Sequence, residues 1–181
     1  EVNGGEVEVG ERLISGANAI ITINGGIITT NQRLLMDLGG KIILNNGIIN
    51  VNGVMALADG ELTNSAYFEQ NGGQINVTGE VALENEAGNF EPTIKINGGD
   101  FNINGDLVWF GMAPGSGTPK FLADGGTINL NGNLTNMAGS TVDVYLKVQD
   151  NTVFNFNGAT IDLIHATDSI VQINNNGINF I

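Results

Sequence analysis

The chain contains no cysteine, only three prolines, one histidine and one tryptophan in 181 residues. Without cysteine no disulfide can staple the fold and no thiolate can act as a nucleophile or metal ligand, so stability has to come from a packed core and hydrogen bonds. No apolar run approaches the roughly 20 residues that a membrane-spanning helix requires, so membrane insertion is not expected. Basic residues are also scarce. Six Lys and Arg stand against 19 Asp and Glu, a formal charge of −13 with a pI near 4.1. That balance argues against partners recognised by neutralising phosphate, nucleic acid above all, and against an anionic membrane surface. With one histidine, His165, no cysteine and no Gly-x-Ser-x-Gly elbow, the residue types for Ser-His-Asp, Cys-His or zinc chemistry are missing. No cofactor is expected, and catalysis is not the leading expectation.

Glycine, asparagine and β-branched residues are abundant, and their order is periodic. Eight times an Asn or Asp opens a short polar turn ahead of an alternating apolar segment: Asn3, Asn24, Asn45, Asn71, Asn97, Asp124, Asp150 and Asn174. The spacings are 21, 21, 26, 26, 27, 26 and 24 residues, a period that marks a solenoid. Four residues past each opener stand Val7, Ile28, Ile49, Ile75, Phe101, Ile128, Phe154 and Ile178, and two further on Val9, Thr30, Val51, Val77, Ile103, Leu130, Phe156 and Phe180. Leu13, Leu34, Met55, Val81, Leu107 and Leu134 follow after another four, with Ile161 one step out of register. Alternation by two places these columns inside and the residues between them outside. With a further apolar strand before each turn, one repeat holds three short strands, enough for one coil of a right-handed parallel β-helix. Residues 1–181 are therefore read as a single all-β solenoid domain of about seven to eight coils stacked roughly 4.8 Å apart. No sustained 3.6-residue pattern supports helices.

The outward columns are candidate binding surfaces. Asn50, Asn76, Asn102, Asn129 and Asn155 form one, and Asn52, Thr78, Asn104, Asn131 and Asn157 the next. Regular polar arrays of this kind can take a glycan or ice, although ice binding favours Thr, of which these two columns hold only Thr29 and Thr78. The turn column is expected to be a structural amide ladder, with Asp124 and Asp150 adjacent in it and mutually repulsive. Coils from the third onward are longer after their third strand, which predicts edge loops on one side of the rod. Trp109 and Phe110, in the stretch running to Pro119, are read either as a platform for a sugar or protein or as packing of that loop. Asp59, Glu61, Glu84, Glu86 and Glu91 could hold calcium, but they lack the dense Asp-x-Asp-x-Asp spacing of such loops. The six basic residues read as scattered through the repeat, unlike the grouping a polysaccharide lyase or hydrolase needs.

The phrases Ile-Asn-Val-Asn-Gly, Phe-Asn-Ile-Asn-Gly and Ile-Asn-Leu-Asn-Gly, with the repeated Ile-Asn-Gly-Gly, resemble bacterial secreted right-handed β-helix surface proteins, autotransporter passengers and adhesin-like repeats. The resemblance covers nearly the whole chain and implies an extracellular or cell-surface location and a structural or adhesive, non-catalytic role. It transfers no functional residue. A chain starting at Glu1 is expected to be processed material, for which export is the simplest reason. Repeats running into both ends, at Asn3 and at Ile178, predict uncapped coils and end-to-end stacking of copies into a filament, or a place in a longer solenoid. Glycans or other cell-surface material are the remaining expected partners. The alternatives are a carbohydrate- or ice-binding module on the Asn/Thr face and a polysaccharide lyase or hydrolase.

Overall fold

Short β-branched runs separated by Asn/Gly turns cannot satisfy their backbone hydrogen bonds within one coil, so each coil pairs with the coils before and after it. The structure, a computed structural model, describes residues 1–57, 65–85, 90–111, 117–137, 139–140, 142–149, 151–157, 160–162 and 170–173, and the backbone of 178–180. Among these there is no helix, and every strand pairing is parallel. One sheet of 14 strands folds around the Asn turn and forms two faces, and a separate seven-stranded sheet forms the third. The strands leading into the turn, such as Lys41–Leu44 and Thr93–Ile96, make an entry face. Those leaving it, such as Ile48–Val51 and Asp100–Ile103, make an exit face. The third face runs from Arg12–Ser15 to Ile161–Asp162, one strand per coil. This is the expected β-solenoid, and seven strands on the third face agree with the expected coil number.

Register follows the repeat. Ile49, Ile75, Phe101, Ile128 and Phe154 stack as partners and are buried, as are Val51, Val77, Ile103 and Leu130. Tilted rings meet across the core between faces, with Phe101 centred 6.2 Å from Phe68 and 6.0 Å from Phe121. Thr30, the polar member of its inward column, is fully buried, and its hydroxyl lies 3.0 and 2.9 Å from the carbonyl oxygens of Glu11 and Arg33. Ile161, one residue late in the sequence, pairs directly with Leu134, so the additional residue is absorbed in the preceding corner. Coil length changes where expected: four residues separate Met36 from Lys41, but nine separate Leu57 from Tyr67.

The turn glycines set how closely coils approach. Gly99 has φ +84°, and a Cβ there would stand 2.3 Å from the carbonyl oxygen of Gly73 in the coil before. Gly126, at φ +77°, would meet Gly99 in the same way, also at 2.3 Å. Both the left-handed conformation and the contact exclude a side chain. We predict that Gly99→Ala lowers unfolding free energy by at least about 1 kcal/mol in denaturant titrations. Gly4→Ala, with nothing within 4 Å of the new methyl, should stay within about 0.5 kcal/mol of the parent.

Candidate binding faces

Parallel, in-register stacking puts each side chain above its own equivalent, so a column of asparagines can bond to itself. On the exit face Asn76 Nδ2 donates to Asn50 Oδ1 at 2.9 Å, Asn102 to Asn76 at 2.8 Å, Asn129 to Asn102 at 2.7 Å and Asn155 to Asn129 at 2.6 Å. In the neighbouring column Asn52 donates to Asn31 at 3.1 Å, Asn131 to Asn104 at 2.8 Å and Asn157 to Asn131 at 2.6 Å. Thr78 interrupts that column and turns its hydroxyl to the Val51 carbonyl at 3.3 Å. The structure therefore brings all ten asparagine and threonine candidates onto one face. Each ladder bond uses one hydrogen of the amide nitrogen and one lone pair of its oxygen, so an amide keeps one further hydrogen and one lone pair.

The turn openers form a third ladder. Asn24 donates to Asn3 at 2.9 Å, Asn45 to Asn24 at 2.7 Å, Asn71 to Asn45 at 2.9 Å and Asn97 to Asn71 at 2.8 Å. An ionised Asp124 has no hydrogen to continue it. The expected Asp124–Asp150 stack needs correction. Val148 pairs with Ala123, and the Gln149 amide donates to the Ala123 carbonyl just as the Asp124 amide donates to that of Ile96. Gln149, not Asp150, thus follows the strand in the opener's place, because this turn is one residue longer. A neutral amide succeeds the carboxylate, and Asp150 lies outside the described residues.

The basic residues are sorted rather than scattered. All four lysines lie in the two outward columns of the entry face. One column reads Ile20, Lys41, Tyr67, Thr93, Lys120, Tyr145, Ile170, and the other Thr22, Ile43, Glu69, Lys95, Leu122, Lys147, Gln172. Glu69 lies between two of them, 3.7 Å from Lys41 Nζ and 4.0 Å from Lys95 Nζ. Lys41 also sits 4.4 Å from the centre of the Tyr67 ring, and Lys120 5.7 Å from that of Tyr145. Burial and the neighbouring Glu69 carboxylate raise the Tyr67 phenol above its ordinary value. A cavity of about 200 Å³ opens farther along this face, between Lys95, Leu122, Asp124, Tyr145 and Lys147.

The third face carries the two arginines in register, Arg12 beside Arg33, at a cavity of about 380 Å³ with Gln32, Val54 and Glu80. Arg33 reaches Glu84 at 3.4 Å. Another cavity, of about 300 Å³, lies between Asp106, Asn133, Thr135, Thr160 and Asp162. Trp109 belongs to the strand Leu107–Gly111 and is fully buried, its Nε1 donating to the Pro119 carbonyl at 3.1 Å. Its role is packing, which corrects the platform reading, since a buried indole offers no surface to a sugar. Phe110 beside it is half-buried. Of the acidic loop candidates, Glu84 pairs with Arg33 and Glu91 with Lys120. Asp59, Glu61, Glu86 and His165 lie outside the described residues. Among the described residues no three His, Cys, Asp or Glu side chains gather to hold a metal ion.

Asn102→Asp should remove a donor from the middle of the exit-face ladder and set a carboxylate against the Asn76 oxygen. We expect a loss of about 1–3 kcal/mol at neutral pH, measured by denaturation beside Asn102→Ala, with part regained in acid, where the protonated carboxyl donates again. For Tyr67, whose folded-state value is raised, the protonated form is favoured by folding. Its contribution is complete below the ordinary tyrosine range and lost as pH rises through the folded value. Ultraviolet titration should show one of the two tyrosines ionising late, and Tyr67→Phe should remove that late step. Set against known protein families, curated proteins and solved structures, the chain matches none.

Proposed function

We propose that the chain is a non-catalytic structural or adhesive rod, acting outside the cell, whose coil stack is continued by further coils or by other copies of itself. The observation that supports this reading is the exposure of inward-column residues at the margins of the stack. Val7, Ile161 and Val171 are 41%, 49% and 43% exposed, whereas their partners one coil inward, Ile28, Leu134 and Leu146, are 2%, 0% and 0% exposed. Apolar side chains in register with a buried column are complementary to one more coil of the same kind. The strands Ile161–Asp162 and Ile170–Ile173 beside them stand at the ends of their sheets' strand orders, and a sheet edge is a template for a further strand. Such contacts join unlike surfaces, so they propagate rather than close. The surface location rests on the resemblance of the repeats to secreted β-helix proteins.

A second reading is favoured by one observation, the spare hydrogen-bonding capacity of the exit-face ladders. They hold Asn50, Asn76, Asn102 and Asn129 at a fixed repeat, a regular array suited to an ordered glycan or to ice. Loss of glycan-array or ice-affinity signal in Asn102→Ala and Asn129→Ala would favour that module. For the rod, electron microscopy of the purified chain should show particles that lengthen as concentration rises and shorten in Val7→Asp and Val171→Asp. A monodisperse monomer at high concentration, with both marginal coils ordered, would refute stacking.

A further inference from the structure

In a chain of net charge −13, all four lysines occupy one of the three faces. We propose that the entry face is a binding surface for an anionic polysaccharide, centred on Lys95, Tyr145 and Lys147. Lys95, Leu122 and Lys147 are successive members of one outward column, so the two ammonium groups stand on either side of an apolar floor. Two coil steps separate their backbone positions by about 10 Å. The cavity of about 200 Å³ between them is lined on one side by the half-buried Tyr145 ring. An ammonium is a compact point charge suited to a sugar carboxylate or sulfate, and the flat ring together with Leu122 suits the C–H face of a pyranose.

Neighbouring groups fit that occupant better than they fit a second protein surface. Glu69 is engaged between Lys41 and Lys95, and Glu91 pairs with Lys120. Lys147 has no carboxylate partner within ion-pair distance among the described residues, so a positive group is available at the cavity itself. Asp124 on the rim can accept a hydrogen bond from a sugar hydroxyl, something that a polymer bearing only carboxylates does not offer. The entry strands stack in register from coil to coil, so the surface extends as a strip along which a linear polymer can lie. This reading holds whether or not the rods lengthen.

Affinity electrophoresis of the purified chain through gels containing polygalacturonate, dextran sulfate, neutral dextran or poly-glutamate tests the proposal. We expect retardation by polygalacturonate or dextran sulfate, the stronger of the two identifying the acidic group, and none by dextran. Lys95→Ala with Lys147→Ala should weaken it at least tenfold, and Tyr145→Ala comparably, while Asn102→Ala leaves it unchanged. Should the double variant unfold, as judged by circular dichroism, Lys147→Gln decides alone, with at least a threefold weakening expected. Absence of retardation by both anionic polysaccharides, equal retardation by poly-glutamate, or undiminished retardation of the folded lysine variants would overturn the proposal.

Discussion

Everything in this molecule depends on one constraint: each residue must tolerate a near copy of itself about 4.8 Å away, above and below. Apolar residues satisfy it by packing, which is why Ile49, Ile75, Phe101, Ile128 and Phe154 run as one buried column. Amides satisfy it by bonding to each other, and glycine satisfies it at the turn, where even a methyl group would strike the coil before. Charged residues satisfy it only when diluted. Lysines on the entry face are interleaved with Tyr67, Thr93, Leu122 and the carboxylate of Glu69, so that two of them never meet as direct partners. The arginines Arg12 and Arg33 do meet, and there Glu84 lies against one of the pair.

The same constraint decides how much of the fold is legible in the amino-acid order alone. Inside and outside on the exit face are legible because the period of two and the period of the repeat coincide there for eight turns. The third strand shows itself in the repeat at a single inward position, the column of Leu107. Carrying the alternation two residues further places Trp109 inside, above Leu83, instead of at the start of a Gly- and Pro-rich loop. The lysines look scattered as long as only the apolar members of the entry strands are aligned. Their outward partners sort by face only once strand register is known. The turn at Gln149 misleads because Asp150 resembles Asp124 in type, while the pairing of Val148 with Ala123 counts one residue differently. Such slips are invisible to spacing alone, since turn lengths vary while strand register does not.

Three faces with one core and three chemistries result. Apolar residues occupy the middle of the third face outside as well as inside, through Leu35, Ala56, Ala82 and Val108, of which the last three are buried. The exit face is dominated by hydrogen-bonding amides, with carboxylates at Glu6, Glu8 and Asp100. Lysine and tyrosine are confined to the entry face, and Glu69 is the one carboxylate among the described residues in its outward columns. A protein this acidic overall can therefore present a local surface of the opposite sign, because a solenoid separates its faces without needing separate domains.

The ladders also give the rod a direction. In each of the three amide columns the nitrogen of the later coil donates to the oxygen of the earlier one: Asn45 to Asn24, Asn102 to Asn76, Asn157 to Asn131. Side-chain dipoles that in most proteins point at random are thus aligned head to tail along the long axis. Turning one amide over would set nitrogen against nitrogen and oxygen against oxygen at its two neighbours, so a column can reverse only as a whole. The two ends of such a column are electrically unlike, one offering hydrogens and the other lone pairs, a polarity that needs no ionised group to create it.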